Sequence, residues 1–440
     1  MTYSVISTIS PASSIHYTLK CNFTSTSTKN LIISKTHTLE IFSLTEFEIL
    51  QSFKLNLYGR ISNLLSYRPK GLDLDQLITL TEKNQLLSLQ FNPETNQVIT
   101  VSKLNLNNPF GKLNSNKSFL VISQEFRVLI TSVYQGELGV IWFDGGGASN
   151  GSNNGGMGKF KNSTSKPSTS NNDSSNAQGT LPPGSITHRQ RITLDQFEIH
   201  SLTILNNTKH PTIAVLYSDY STKKYLKFYQ LTKLSSKLTE VYGDREVSED
   251  TRELIALPNG GLILVGSDSL IAYNANCSKE DQLKLNLAEP RIFTTFEIID
   301  NLRILITDAL GKLYLIKLMP TSSYSSQGYY KSVDLHLIGH TTISSSLTYL
   351  GNRFLFVGSN AGNSEVWKLP YKTERFTIYQ SLDGLGPVTD LKYLKLNANN
   401  TSVLNEDFES NEPASLICTS GIGNNGTIRQ LSTGLVGKNP

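Results

Sequence analysis

Two histidines, His336 and His340, stand four residues apart, and carboxylates crowd the run Asp244–Glu253 (DREVSEDTRE). On a helix, histidines at that spacing could hold a metal ion, and neighbouring carboxylates could divide acid and base work. The surrounding pattern points elsewhere. Val333–Ile338 reads as a strand, where the fourth residue on is too distant to share an ion. The acidic run reads as a solvated loop between strands, and Asp73 and Asp75 as parts of a turn. There is no glycine-rich phosphate loop ending in Lys-Ser or Lys-Thr, no Gly-x-Ser-x-Gly elbow and no Cys-x-x-Cys pair. No catalytic residue, metal ligand or cofactor is therefore assigned. Lys223–Tyr229 (KKYLKFY) interleaves lysines with aromatics, a pattern that can stack single-stranded bases but that strand alternation also produces.

The elements that would position any such groups are strands. A hairpin recurs eight times: an apolar strand, a small polar turn and a second apolar strand. The clearest copies are Gly261–Tyr273 (GLILVGSDSLIAY), Leu302–Leu318 (LRILITDALGKLYLIKL) and Arg353–Leu369 (RFLFVGSNAGNSEVWKL). Others begin at residues 30, 76, 126, 211 and 414. Most steps between copies are about 40–50 residues, the length of one four-stranded propeller blade. No sustained three-and-four spacing of apolar residues predicts a long helix. The glycines Gly136, Gly266, Gly311 and Gly362 read as tight turns needing positive φ. The expected fold is all-β: a seven-bladed, WD-repeat-like β-propeller over residues 1–384, with the opening strands of a second propeller in 385–440. The one long step, from 126 to 211, contains residues 145–190, a Gly-, Ser- and Asn-rich stretch expected to be a disordered insertion.

Composition adds bounds. The 440 residues carry 40 basic and 36 acidic side chains, a net +4 that selects no partner class. Apolar runs are only strand-length, so no membrane contact is expected. MTYSVISTISPASS lacks the pattern of a secretory signal. Three cysteines far apart, Cys21, Cys277 and Cys418, fit a reducing compartment.

Several blocks carry a family resemblance: SYRPKG at Ser66–Gly71, HPTIAVLYSD at His210–Asp219, SLTYLGNRFLFVGSNAGNSEVWKL at Ser346–Leu369 and GLGPVTDL at Gly384–Leu391. With the opening residues they resemble the family of the UV-damaged-DNA-binding protein's large subunit, the adaptor of cullin-4 ubiquitin ligases. The wider superfamily includes the large subunits of an mRNA cleavage/polyadenylation factor and of a splicing factor. The resemblance implies three propellers and a small helical domain. The first and third propellers grip substrate receptors, and the second binds the cullin. This chain would supply the first propeller and the start of the second, as a piece of a longer or split product or as a free-standing module, so cullin contact is not expected of it.

By the same resemblance, partner contacts fall on Tyr349, Asn360, Ala361, Pro387, Val388 and Thr389. Asn360 and Ala361 replace an Arg-Leu pair, and Thr389 replaces an aliphatic residue, which should alter affinity or partner choice. The expected function is a non-enzymatic scaffold recruiting receptor proteins in DNA repair or ubiquitination, in the nucleus and also the cytoplasm, with nucleic acid reached through the complex. A scaffold for mRNA polyadenylation or splicing is the alternative. An enzyme using a propeller pocket would need clustered carboxylates or metal ligands at one end of the channel, and none is seen.

Overall fold

The computed structural model describes residues 12–45, 49–57, 59–115, 117–143, 184, 186–196, 198–233, 238–321, 328–371, 375–396, 402–403 and 414–432. They form eight four-stranded antiparallel sheets. The first sheet is β1 (Ile15–Cys21), β2 (Asn30–Lys35), β3 (Thr38–Leu44) and β4 (Ile49–Asn56). The second is β5 (Ile61–Tyr67), β6 (Gln76–Thr81), β7 (Gln85–Asn92) and β8 (Gln97–Asn105). The third is β9 (Phe119–Ser123), β10 (Val128–Ser132), β11 (Glu137–Phe143) and β12 (Ile186–Thr193). The fourth is β13 (Glu198–Ile204), β14 (Thr212–Ser218), β15 (Lys224–Gln230) and β16 (Thr239–Val247). The fifth is β17 (Glu253–Ala256), β18 (Leu262–Val265), β19 (Ser269–Tyr273) and β20 (Leu283–Asn286). The sixth is β21 (Phe293–Ile298), β22 (Arg303–Asp308), β23 (Lys312–Pro320) and β24 (Tyr330–His340). The seventh is β25 (Ser346–Gly351), β26 (Phe354–Gly358), β27 (Ser364–Lys368) and β28 (Thr377–Leu382). These seven are simple meanders. The eighth comprises β29 (Val388–Leu396), β30 (Ser402–Val403), β31 (Ala414–Ser420) and β32 (Thr427–Ser432), ordered β30-β29-β31-β32.

In each of the first seven sheets, the repeated hairpin is the middle pair of strands. Strands β2, β6, β10, β18 and β19 are buried almost throughout, because neighbouring sheets cover both their faces. Fourth strands such as β8 and β20 alternate between exposed and half-buried positions. The first strands stand side by side: β1 on β5, β5 on β9, β9 on β13, β13 on β17, and β21 on β25. The last contact in the series returns β25 to β1 and closes the ring. There the Ile15 amide donates to the Ser359 carbonyl at 3.1 Å. The hydroxyls of Thr18 and Thr348 meet at 2.7 Å. Ser345 Oγ donates to the Ile15 carbonyl. Ile15, Leu31, Ile33 and Phe42 pack with Phe356 and Val366 in one apolar cluster across the seam.

The structure departs from the sequence reading in several places. Residues 186–190, assigned to the insertion, lie in β12, which pairs along β11. Residues 145–183 lie outside the described residues. The acidic run is not one solvated loop: Asp244 and Glu246 lie in β16 and Glu253 in β17, each paired with a lysine (Lys227 at 3.2 Å, Lys223 at 3.1 Å, Lys117 at 3.0 Å). Gly136 and Gly311 have positive φ, but Gly266 and Gly362 are not among the positive-φ residues. Gly266 is needed for space, since a Cβ there would lie 2.2 Å from Asp250 Oδ2. Of the KKYLKFY aromatics, Phe228 is 0% and Tyr229 7% exposed, so neither offers a face for a base, while the half-buried Tyr225 stacks on Tyr217 at 5.7 Å between ring centres. His336 and His340 do lie in a strand, β24. No cluster of three metal-ligating side chains occurs among the described residues. No helix there is long and apolar enough to cross a membrane.

Ile15→Ala should cost about 2–5 kcal/mol, because it opens a cavity in the seam that closes the ring. Ile428→Ala, at a side chain 78% exposed on the eighth sheet, should stay within about 0.5 kcal/mol. Urea unfolding followed by tryptophan fluorescence measures both.

Candidate protein-interaction site

The residues proposed for partner contact do not fall together. Tyr349 pairs with Leu355 near the β25–β26 turn, whereas Asn360 follows β26 beyond the Ser346–Gly358 pair. The two therefore sit at opposite ends of the seventh sheet, on opposite rims of the ring. Tyr349 is half-buried and packs against the Leu305–Leu355 cluster. Its amide donates to Glu297 Oε1 at 3.0 Å, its hydroxyl accepts the Arg353 amide at 3.3 Å, and the Lys20 amine lies 5.8 Å from its ring centre. These contacts make Tyr349 a strand residue holding the sixth, seventh and first sheets together. Burial pushes the Glu297 carboxyl up to about 7, against the amide bond and the nearby Lys20, which both favour its charge. Burial likewise lowers Lys20.

Asn360, Pro387, Val388 and Thr389 lie on the other rim, where the eighth sheet joins the ring. Asn360 and Thr389 are exposed, Val388 is 47% exposed and Pro387 is half-buried. Ala361, by contrast, is only 3% exposed. Its carbonyl accepts the Ile422 amide at 3.0 Å, so the β31–β32 turn covers it and leaves no surface for a partner. The same joint is tied by the Gly421 amide on the Pro387 carbonyl at 3.1 Å and by Ser420 Oγ on the Leu385 carbonyl. Arg429 reaches back to Asn363 and lies 3.8 Å from Asp383. Gly421 has φ +91°, and a Cβ there would stand 2.2 Å from the Asn425 carbonyl oxygen, so only glycine fits this approach. These bonds tie the backbone of the joint, which carries exposed side chains at Asn360, Val388, Thr389 and Leu391.

Sequence reasoning passed over the residues that build this joint. Arg429, Asn363 and Gly421 are distant in the chain, and only a polar turn and a glycine marked them. The SYRPKG block also acquires a role. Arg68 grips Asp75 with Nε on Oδ1 at 2.7 Å and Nη2 on Oδ2 at 3.0 Å, while Asp75 accepts the Asn22 amide at 2.6 Å. A planar guanidinium suits such a two-point grip. It fastens the second sheet to the first, so the arginine of the motif serves the ring.

Glu297 makes stability depend on pH. Its folded value lies above its ordinary 4.5, so the folded state binds the extra proton between about 4.5 and about 7. Its contribution is complete below the lower value and is lost as pH rises through the upper one. Glu297→Gln should flatten that decline by about 1–3 kcal/mol, seen by comparing urea midpoints at about pH 5 and about pH 8. At the joint, Gly421→Val should raise the rate of proteolytic release of residues beyond 383 by at least about tenfold while leaving the ring's unfolding midpoint in place.

Residues 14–383, from just before β1 to just after β28, match the family model described as RSE1/DDB1/CPSF1 first beta-propeller. DNA damage-binding protein 1b of Arabidopsis thaliana is 24% identical over 421 residues, covering 94% of this chain and 34% of that protein. DNA damage-binding protein 1a of the same plant and DNA damage-binding protein 1 of Solanum lycopersicum are each 23% identical over 421 residues. The chain thus spans about a third of the length of these curated relatives. With its sheets in ring order and a match from one side of the seam to the other, the chain belongs to the RSE1/DDB1/CPSF1 first-beta-propeller family.

Proposed function

We propose that this chain is a non-enzymatic protein-interaction scaffold, acting in the nucleus to recruit receptor or repair proteins in DNA repair or ubiquitination. It works by raising the effective concentration of the proteins it holds, with no chemistry of its own. The observation that carries the reading is the exposure at the joint: Asn360, Val388, Thr389 and Leu391 are exposed on a hydrogen-bonded backbone, with Val388 and Leu391 about half exposed at 47% and 52%. Exposed aliphatic groups on a hydrogen-bonded frame suit a protein partner, because little ordering entropy opposes binding. Relatives named for DNA damage binding support repair over RNA processing. In the same reading, the eighth sheet opens a second propeller over residues 385–440.

Pull-down of the tagged chain from nuclear extract tests this. The wild type should recover repair or ubiquitin-ligase proteins, and Val388→Asp with Asn360→Arg should reduce recovery by at least about tenfold. Lys209→Glu, at the exposed β13–β14 turn on the opposite rim, should leave recovery unchanged. Recovery of polyadenylation or splicing subunits instead would overturn the assignment.

A further inference from the structure

Inside the ring, between the first strands of the first, fifth, sixth and seventh sheets, lies a cavity of about 360 Å³. Its cause is a difference in how the sheets meet. Other neighbours touch through their first strands, whereas the fifth and sixth come together chiefly through their fourth strands, β20 and β24. The gap this leaves on the inner side is walled by Phe293, Phe296, Val265 and Leu347. Its size falls within the ordinary range for small-molecule sites, which combine apolar walls with a few polar groups.

The charges at the cavity are unequal. Lys117 and Glu253 neutralise each other at 3.0 Å, and Glu253 also accepts Ser201 Oγ at 2.6 Å. Lys117 is further held over the Phe119 ring. Arg252 lines the same cavity and is exposed. Its guanidinium makes no ion pair or hydrogen bond among the described residues. Ser346, another lining residue, has a buried hydroxyl with no partner among the described residues. The other carboxyl present, Glu297, is engaged with the Tyr349 amide, and burial favours its neutral form, so it opposes an anion only weakly. An unneutralised guanidinium beside an apolar wall is suited to one ligand chemistry, since its planar fork matches a carboxylate.

We propose that this cavity binds a small carboxylic acid, with the carboxylate on Arg252 and an apolar body between Phe293, Phe296 and Leu347. The site lies within the ring rather than on the joint, so it is independent of the surface proposed for partners. Phenylacetate is a suitable probe, with phenylacetamide and phenethylamine as its neutral and cationic counterparts. Titrations of the full chain followed by amide NMR should show saturable phenylacetate binding with Kd of about 1 mM or tighter, as expected for so few atoms. The shifts should centre on Thr294, Thr295 and Leu347. The amide and the amine should bind at least about tenfold more weakly, and Arg252→Ala should weaken phenylacetate by a similar factor without moving the unfolding midpoint. Equal binding of phenylacetamide, undiminished binding by R252A, or shifts scattered over the outer strands would each overturn the proposal. So would an absence of saturation up to about 20 mM.

Discussion

A four-stranded sheet with two apolar faces cannot hide either face by itself, and everything else in this molecule follows from that constraint. Each sheet is covered only by its neighbours, so a row of sheets leaves two raw faces until its ends meet. Here they meet where β1 lies against β25. Ile15 and Phe356 bury their side chains in the same cluster, and the Ile15 amide is satisfied by Ser359 on the other side of the seam. Partners this far apart in sequence carry a large entropic cost of loop closure, which the buried seam must offset. The seam also sets what the remaining chain can do. With the ring complete after β28, the eighth sheet packs as an appendage on the seventh sheet's turns.

The degree to which this was legible in the sequence tracks burial. The middle strands of each sheet are covered on both faces, and uninterrupted apolar runs such as Leu262–Val265 and Val128–Ser132 announce them. First strands line the axis and carry His16, Thr18, Lys20, Thr294 and Glu297, so their apolar signal is diluted. Fourth strands face solvent. The strand ITHRQRIT in β12 looked like the end of a polar insertion because its pairing partner β11, not its composition, makes it a strand. At the site, Asn360, Val388 and Thr389 are exposed, Tyr349 is half-buried and Ala361 is covered. Residue type alone does not reveal which end of a strand faces which rim. Nor does it reveal that Ile422, far along the chain, comes back to cover Ala361.

Two residues from blocks singled out in the sequence make contacts that hold the ring. Arg68 in the SYRPKG block is engaged by Asp75, and Tyr349 is engaged by Glu297 and Arg353. Hydrogen bonds demand a particular geometry, so these contacts help hold neighbouring sheets in register. That register matters for a scaffold, whose surface residues must present themselves in one arrangement. The surface around Val388 inherits its position from the closed ring through Gly421, Ser420 and Arg429.

The ring closure itself is most directly tested by a crosslink across the seam. Thr18 and Thr348 are 330 residues apart in sequence, yet their hydroxyls lie at 2.7 Å. The double variant Thr18→Cys, Thr348→Cys should form a disulfide under mild oxidation in nearly every molecule, read as a mobility shift that reductant reverses. A chain whose first and seventh sheets are not neighbours would show no such species, and that result would contradict the closed seven-sheet ring.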